Sequence, residues 1–360
     1  MTNLAFELPI NPVSFGMISI AILRELYRRN LQPCIFSIGN VDLSAQKQDK
    51  DFEMWLLNCL NKSHKYHKRT DKIFKLWHLS NLLSSYSEKQ IALSFLETDF
   101  LTETEINVCN NQEKVYFTSN FAVNTFKQYG ANNLEYLRLG FDSDNFYELN
   151  KKYYEDERCV WGIFGKGENR KRSWKTLNLW AKKYGNNKDH MLHCSIYNNF
   201  LNSQDNQNLI VQALEGKSYF NIVFCPYVKT NTEFCDIVNS IDIVLALSGG
   251  ENFDMPVYSS VALGRHCLGL KAHAYLDYLN DQNSVLINPN SKIPSHDGLF
   301  FHNGNIFSQG NFFDWGIEDF NNGCDLIYER FKKNRRNQVG LELQKYTYKE
   351  TVNTILEGFN

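Results

Sequence analysis

The residues best suited to chemistry lie in one stretch, an apolar run from Asp242 to Leu247 followed by Ser248-Gly249-Gly250-Glu251-Asn252-Phe253-Asp254-Met255-Pro256. It combines a buried strand, a flexible loop, an acid and a helix start, with Pro256 suited to the first helical turn. A helix N-terminus offers unpaired N–H groups and the positive end of a dipole, so a diphosphate across this loop would meet donors already aimed at it. Glu251 would then face a sugar carried by that diphosphate. The competing reading of Glu251 is a helix cap in some other α/β protein. A second stretch, Gly165-Lys166-Gly167-Glu168-Asn169-Arg170-Lys171, follows the apolar run 159–164. Lys166 and Lys171 could neutralise charge building on a departing diphosphate, where stabilisation speeds a reaction most. Arg170 could replace either lysine, whereas Arg172 and Lys175 read equally well as solvated surface.

Earlier in the chain, Phe15-Gly16 offers a glycine that lets backbone approach a ligand closely. His78 ends the apolar run 73–77, and Glu97 follows the run 91–95. Each is expected to point into a cleft, although a lone histidine serves as often as a structural hydrogen-bonder.

The elements that must position these residues follow a regular rhythm. A short apolar run, a loop and a helical pattern over 17–29 lead to a strand over 33–39, and further short strands are expected at 73–77, 91–95 and 115–118. Such alternation predicts a parallel sheet with crossover helices. The polar segment 148–158 reads as a linker, placing a boundary near residue 150. A second series begins at 159–164 and continues at 191–195, 221–224, 241–247 and 267–270, giving two doubly wound parallel sheets. A last helix is expected over about 348–359, and the basic cluster 332–336 as a solvated helix face.

Composition supports this division. A chain of 360 residues, 43% hydrophobic and 22% charged, can bury two cores of ordinary size. A formal charge of -2 and pI near 6.5 argue against a chain-wide electrostatic grip on nucleic acid, leaving only local basic stretches such as 64–69 and 166–175. The nine cysteines show no C-x-x-C pair and read as reduced, buried thiols. The start of the sequence has no basic segment followed by a long apolar one, and no run approaches eighteen apolar residues. A soluble, cytoplasmic protein is expected.

The Glu251 stretch resembles the signature of retaining GT-B glycosyltransferases of group 1 (family 4-like): Glu-Gly-Phe-Gly-Leu-Pro, two residues, Glu-Ala, and then a small residue before Gly. Glu251, Phe253, Pro256, Ala262 and Gly264 match it. Ser259 stands where the family has a second glutamate that grips the ribose hydroxyls. The segment 162–171 is similar to the family's strand, Gly-Arg, short loop and Arg-Lys-Gly, with Lys166 replacing the arginine. The segment 115–121 with Gly130, then Leu139-Gly140-Phe141-Asp142 and Phe146, resembles the end of the family's first domain, Gly140 permitting a turn and Phe146 anchoring the linker. Phe15-Gly16 and His78 occupy positions where relatives carry a glycine loop near the donor phosphates and a histidine near the donor sugar. Tyr346-Thr347-Tyr348 resembles the entry to a helix that crosses back onto the first domain.

The resemblance implies an α/β protein of GT-B fold, with two Rossmann-like domains facing each other across a cleft: 1–150 for the acceptor, 151–344 for the donor, and 345–360 returning to the first. It implies transfer of a sugar from a nucleotide-diphosphate sugar to a hydroxyl acceptor, with retention and without metal or other cofactor. Glu251, His78 and Lys171 become the catalytic candidates. Gly16, Gly165, Lys166, Arg170, Gly249, Gly250, Asn252, Phe253, Asp254, Met255, Pro256 and Ser259 become the donor-binding set, with Phe15 and Glu97 on the acceptor side. Two alternatives stay open. One is a DNA-modifying glycosyltransferase acting on a hydroxymethylated base, touching backbone through the basic stretch from residue 64. The other is a nucleotide-sugar or glycan-binding protein without transfer activity, motivated by Ser259 and Lys166.

Overall fold

The computed structural model describes residues 4–149, 158–297 and 299–360. The first sheet contains β1 (Ala5–Pro9), β2 (Cys34–Ile38), β3 (Ile73–Leu76), β4 (Gln90–Ser94), β5 (Lys114–Phe117) and β6 (Leu134–Tyr136), in the order β2-β1-β3-β4-β5-β6. All its pairings are parallel. Helices α1 (Ser14–Arg28), α2 (Lys50–Tyr66), α3 (Glu103–Asn110) and α4 (Asn120–Gln128) lie in the crossovers. β1, β3 and β4 are buried along their whole length, as strands covered on both faces must be. Glu7 and Lys75 intrude on this apolar pattern, and they sit at matched register on β1 and β3. Lys75 Nζ lies 3.0 Å from Glu7 Oε1 and donates to the carbonyls of Asn81 and Ser84 at 3.0 and 2.7 Å. The buried ammonium thereby gains the partners without which its desolvation would be prohibitive.

The second sheet contains β7 (Cys159–Phe164), β8 (His190–Ser195), β9 (Ile222–Phe224), β10 (Ile243–Ala246), β11 (His266–Leu270) and β12 (Val285–Ile287). Its order is β12-β11-β10-β7-β8-β9, again parallel throughout. Its helices are α5 (Ser173–Tyr184), α6 (Ser203–Ala213), α7 (Asn231–Asn239), α8 (Met255–Ala262) and α9 (Ile317–Lys333). An antiparallel hairpin, β13 (Ser291–Pro294) with β14 (Asn311–Asp314), stands apart from both sheets. The expected linker and boundary fall, over 150–157, outside the described residues.

The last helix, α10 (Tyr348–Glu357), packs on α1 and β5 of the first sheet. Tyr116 Oη donates to Thr354 O at 3.1 Å, and the Phe6 and Phe359 rings lie 5.6 Å apart. Gly140 is explained by this return rather than by a turn: a Cβ there would lie 2.1 Å from the carbonyl carbon of Thr347. All nine cysteines are free, and all except Cys225 are buried. No helix of the described residues is long and apolar enough to cross a membrane.

Candidate active site

In a doubly wound sheet the crevice forms where chain order reverses, beyond the carboxyl ends of the two strands that flank the reversal. In the second sheet those strands are β7 and β10. They lead into the loops carrying 165–171 and 248–254, so two motifs some eighty residues apart converge by topology alone. In the first sheet the reversal falls between β1 and β3, which lead to Phe15 and His78. Phe15 stacks on Phe95 at 4.5 Å and meets the His78 ring at 4.6 Å, forming an aromatic wall on that side. The two sheets present these carboxyl edges to each other. Thr118 Oγ1 donates to Asn252 O at 2.8 Å, Ser119 Oγ to Asn252 Oδ1 at 2.6 Å, and Asn252 Nδ2 to Ser94 O at 3.3 Å.

A buried ion network fills the junction. Lys171 Nζ lies 2.5 Å from Glu251 Oε1, an ion pair not aligned as a hydrogen bond, and 3.5 Å from Asp254 Oδ2. Arg170 donates to Gly250 O at 2.5 Å and Glu168 Oε1 at 2.7 Å, and its charge also meets Glu97 at 3.0 Å and Glu251 at 3.2 Å. Burial alone would raise Glu251, but Lys171 and Arg170 outweigh it and hold the carboxyl well below the usual carboxylate range. Asp254 moves the other way, because burial and the Glu251 charge overcome Lys171.

Asp254 holds a left-handed backbone (φ 63°, ψ 73°) as the N-cap of α8, with Pro256 in the first turn. An aspartate tolerates this region better than most residues. Its carboxylate accepts from Val257 N at 3.4 Å and Tyr275 Oη at 2.8 Å. Next to it, the N–H groups of Asn252, Phe253, Asp254 and Met255 find no protein acceptor among the described residues. Lys166 differs from its neighbours in having no carboxylate partner among the described residues. Its Nζ lies over the Phe200 and Phe300 rings at 4.8 and 4.9 Å, and burial lowers its pKa. His78 is lowered by burial and by the facing Lys166 charge.

Several glycines are required by close contacts within the protein itself. Gly16 lies within the first turn of α1, not in a loop, and a Cβ there would meet Asn11 O at 2.0 Å. A Cβ on Gly249 would meet Phe313 O at 2.4 Å, and one on Gly250 would meet Glu97 O at 2.1 Å. At these three positions the missing Cβ makes room for protein backbone: Asn11 at Gly16, β14 at Gly249 and the opposite sheet's loop at Gly250. Gly165 is needed for its φ of 107°. Arg172 and Lys175 are not free surface, since both bind Asp314 on β14 at 2.7–3.1 Å. Ser259 is buried on α8. Residues 64–69 end α2 and precede β3, so this basic stretch lies at the amino edge of the first sheet, opposite the junction.

Glu168, Tyr275 and the segment bridging β13 and β14 were not singled out by sequence. That segment ties the halves together: Asp99 accepts from Asn311 N and Lys292 Nζ at 2.7 Å, and Ser308 N donates to Glu105 Oε1 at 2.9 Å. Only the repeated Phe residues near 300 and 312 could have hinted at it.

No family pattern matches the chain, and no curated protein resembles it in sequence. Solved structures do. Sucrose-phosphate synthase from Thermosynechococcus elongatus superposes with a TM-score of 0.69 at 9% identity, covering 99% of this chain and 98% of that one. A glycosyltransferase from Rickettsia africae gives 0.66 at 10% identity, with 99% and 98% covered. HepE from Anabaena, in complex with UDP and glucose, gives 0.64 at 13% identity, with 99% of both chains covered. The chain has the GT-B fold.

Proposed function

We propose that the protein is a glycosyltransferase that moves a sugar from a nucleotide-diphosphate donor to a hydroxyl acceptor with retention of anomeric configuration. The observation carrying this reading is the convergence of Glu251, Lys171 and four amides of 252–255, unpaired among the described residues, where the second sheet reverses order. Such amides and the start of α8 suit a pyrophosphate. In this reading residues 151–344 form the donor half, 1–150 the acceptor half, and 345–360 return to the first. The binding of UDP and glucose by HepE, which has the same fold, favours a uridine donor here.

Lys166, facing His78 and without a carboxylate ion pair among the described residues, is the cation a diphosphate meets first. Lys171 is bound to Glu251 and Asp254, so it serves by holding the Glu251 carboxylate beside the hexose and by taking up phosphate charge as the bond breaks. The departing phosphate accepts the acceptor proton, while Phe15, His78 and Glu97 form the acceptor wall. Closure of the halves excludes water from the oxocarbenium-like state. Because lysines and amides carry the charge, transfer should survive chelation by EDTA. With Ser259 in place of a glutamate, the ribose hydroxyls lose one carboxylate partner, and selection among nucleotides relaxes. Nine unpaired thiols suit a reducing compartment such as the cytoplasm.

A second reading, a nucleotide-sugar or glycan-binding protein without transfer, is favoured by the Asp254 carboxylate capping α8. A DNA acceptor gains nothing from a basic stretch at the far edge of the sheet. Thermal shift with a panel of nucleotide sugars, followed by measurement of released UDP with and without acceptor, separates the readings. Glu251→Ala and Lys171→Ala should each lower turnover by about 10² or more. Normal turnover by both folded variants would remove these roles, and donor binding without any sugar release would favour the second reading.

A further inference from the structure

The connection from β2 to α2 borders a groove of about 390 Å³, lined by Val41, Leu43, Ser44, Gln46, Gln48 and Glu53. Its size is that of small-molecule sites, roughly 300–1,000 Å³. We propose that it binds one neutral sugar ring of an extended acceptor, with the Gln46 carboxamide as its principal donor. This rests on the glycosyltransferase reading and adds the class of acceptor to it.

Gln46 is 8% exposed, and its Nε2, itself buried, has no hydrogen-bond partner among the described residues. The direction of its amide is set from behind. Asn145 Nδ2 donates to Asp142 Oδ2 at 2.6 Å, and Asn145 Oδ1 accepts from Asn231 Nδ2 at 3.1 Å. The same Nδ2 reaches Gln46 Oε1 at 3.3 Å, so Gln46 turns its carbonyl inward and its NH₂ away from the network. A buried donor without an acceptor is costly, and a ligand oxygen would relieve it. The loop is also braced from the second half, where Asn231 N donates to Ala45 O at 2.9 Å. The groove therefore takes shape in the closed arrangement.

The lining selects the ligand. Sugar hydroxyls both donate and accept, and they would meet the Gln46 NH₂, the Gln48 amide and the Glu53 carboxylate in one place. Glu53 would repel a phosphate or a uronic acid. β2 lies two strands from β3, so at about 4.8 Å per strand the groove is about 10 Å across the sheet from the His78 loop. A ring bound there cannot carry the reacting hydroxyl itself, and the acceptor must be longer than one sugar.

The test uses maltotriose, cellotriose and triacetylchitotriose as probes on the full-length protein. At least one should give saturation-transfer signals and slow amide exchange over 41–53. Gln46→Leu and the exposed Glu53→Gln should each weaken that binding about tenfold or more, with melting temperature and UDP binding unchanged. The proposal is overturned if none of the three binds, if both variants bind as wild type does, or if inorganic phosphate competes for the groove. Should UDP-sugars neither bind nor react while trisaccharide binding still depends on Gln46, the groove stands and the transferase reading falls.

Discussion

Among single residues, two buried histidines contribute strongly to how the protein responds to acid. His190 accepts a hydrogen bond from Trp161 Nε1 at 3.1 Å through its Nδ1, and burial holds its pKa at about 4. His273 is likewise held at about 4 by burial, with Nε2 donating to Ser248 O at 2.9 Å. Both lie below the ordinary value of 6.5, so between pH 6.5 and 4 the unfolded chain binds more protons than the folded one. Stability is present above pH 6.5 and is lost as pH falls toward 4, by about 2 kcal/mol per histidine at pH 5. Denaturant titrations at pH 7.5 and 5 should show this loss, and His190→Gln, which keeps an acceptor for Trp161, should reduce it by the His190 share of about 2 kcal/mol. An equal loss in wild type and variant would place the acid sensitivity elsewhere. Sequence alone names Glu251 and Lys171 because their spacing and residue types carry a motif. It is silent on which cation is committed, since Arg170 and Lys166 differ only in the carboxylates that folding brings beside them.

At the scale of elements, the α8 start is a conflict between conformation and electrostatics. A non-glycine residue holds φ 63° at Asp254 because its carboxylate caps the helix and meets Tyr275 and Lys171. Asp254→Ala loses these contacts and keeps the strain, whereas Asp254→Gly loses the contacts but relieves the strain. The glycine variant should therefore be the more stable by about 1 kcal/mol in chemical denaturation. Equal stabilities would mean that the backbone shifts out of the left-handed region. Short apolar runs followed by helical patterns made β1 to β5 and β7 to β11 legible, most of them because strands buried on both faces leave continuous hydrophobic stretches, whereas β9 is a half-exposed edge strand. The short edge strands β6 and β12 lack that signal. The hairpin β13–β14 was illegible because its stability comes from Arg172, Lys175 and Asp99, more than a hundred residues distant.

For the whole molecule, the decisive contact is the docking of the Gly250 loop against the first sheet. Gly250→Ala would drive a Cβ to 2.1 Å from Glu97 O, so the halves must separate to admit it. Small-angle scattering should show a larger radius of gyration for this variant, while its circular dichroism stays that of wild type. An unchanged radius would mean that the Glu97 loop yields instead. No local pattern foretells such docking, because it depends on which carboxyl edges meet. The return of α10 to β5 has a consequence for synthesis. Tyr116, Phe6 and Ile91 leave the ribosome long before the residues that cover them, Thr354, Gly358 and Phe359. During translation of the second sheet the nascent first sheet thus presents a sticky apolar flank to chaperones, and a ribosome stalled near codon 340 would hold it in that unsealed form.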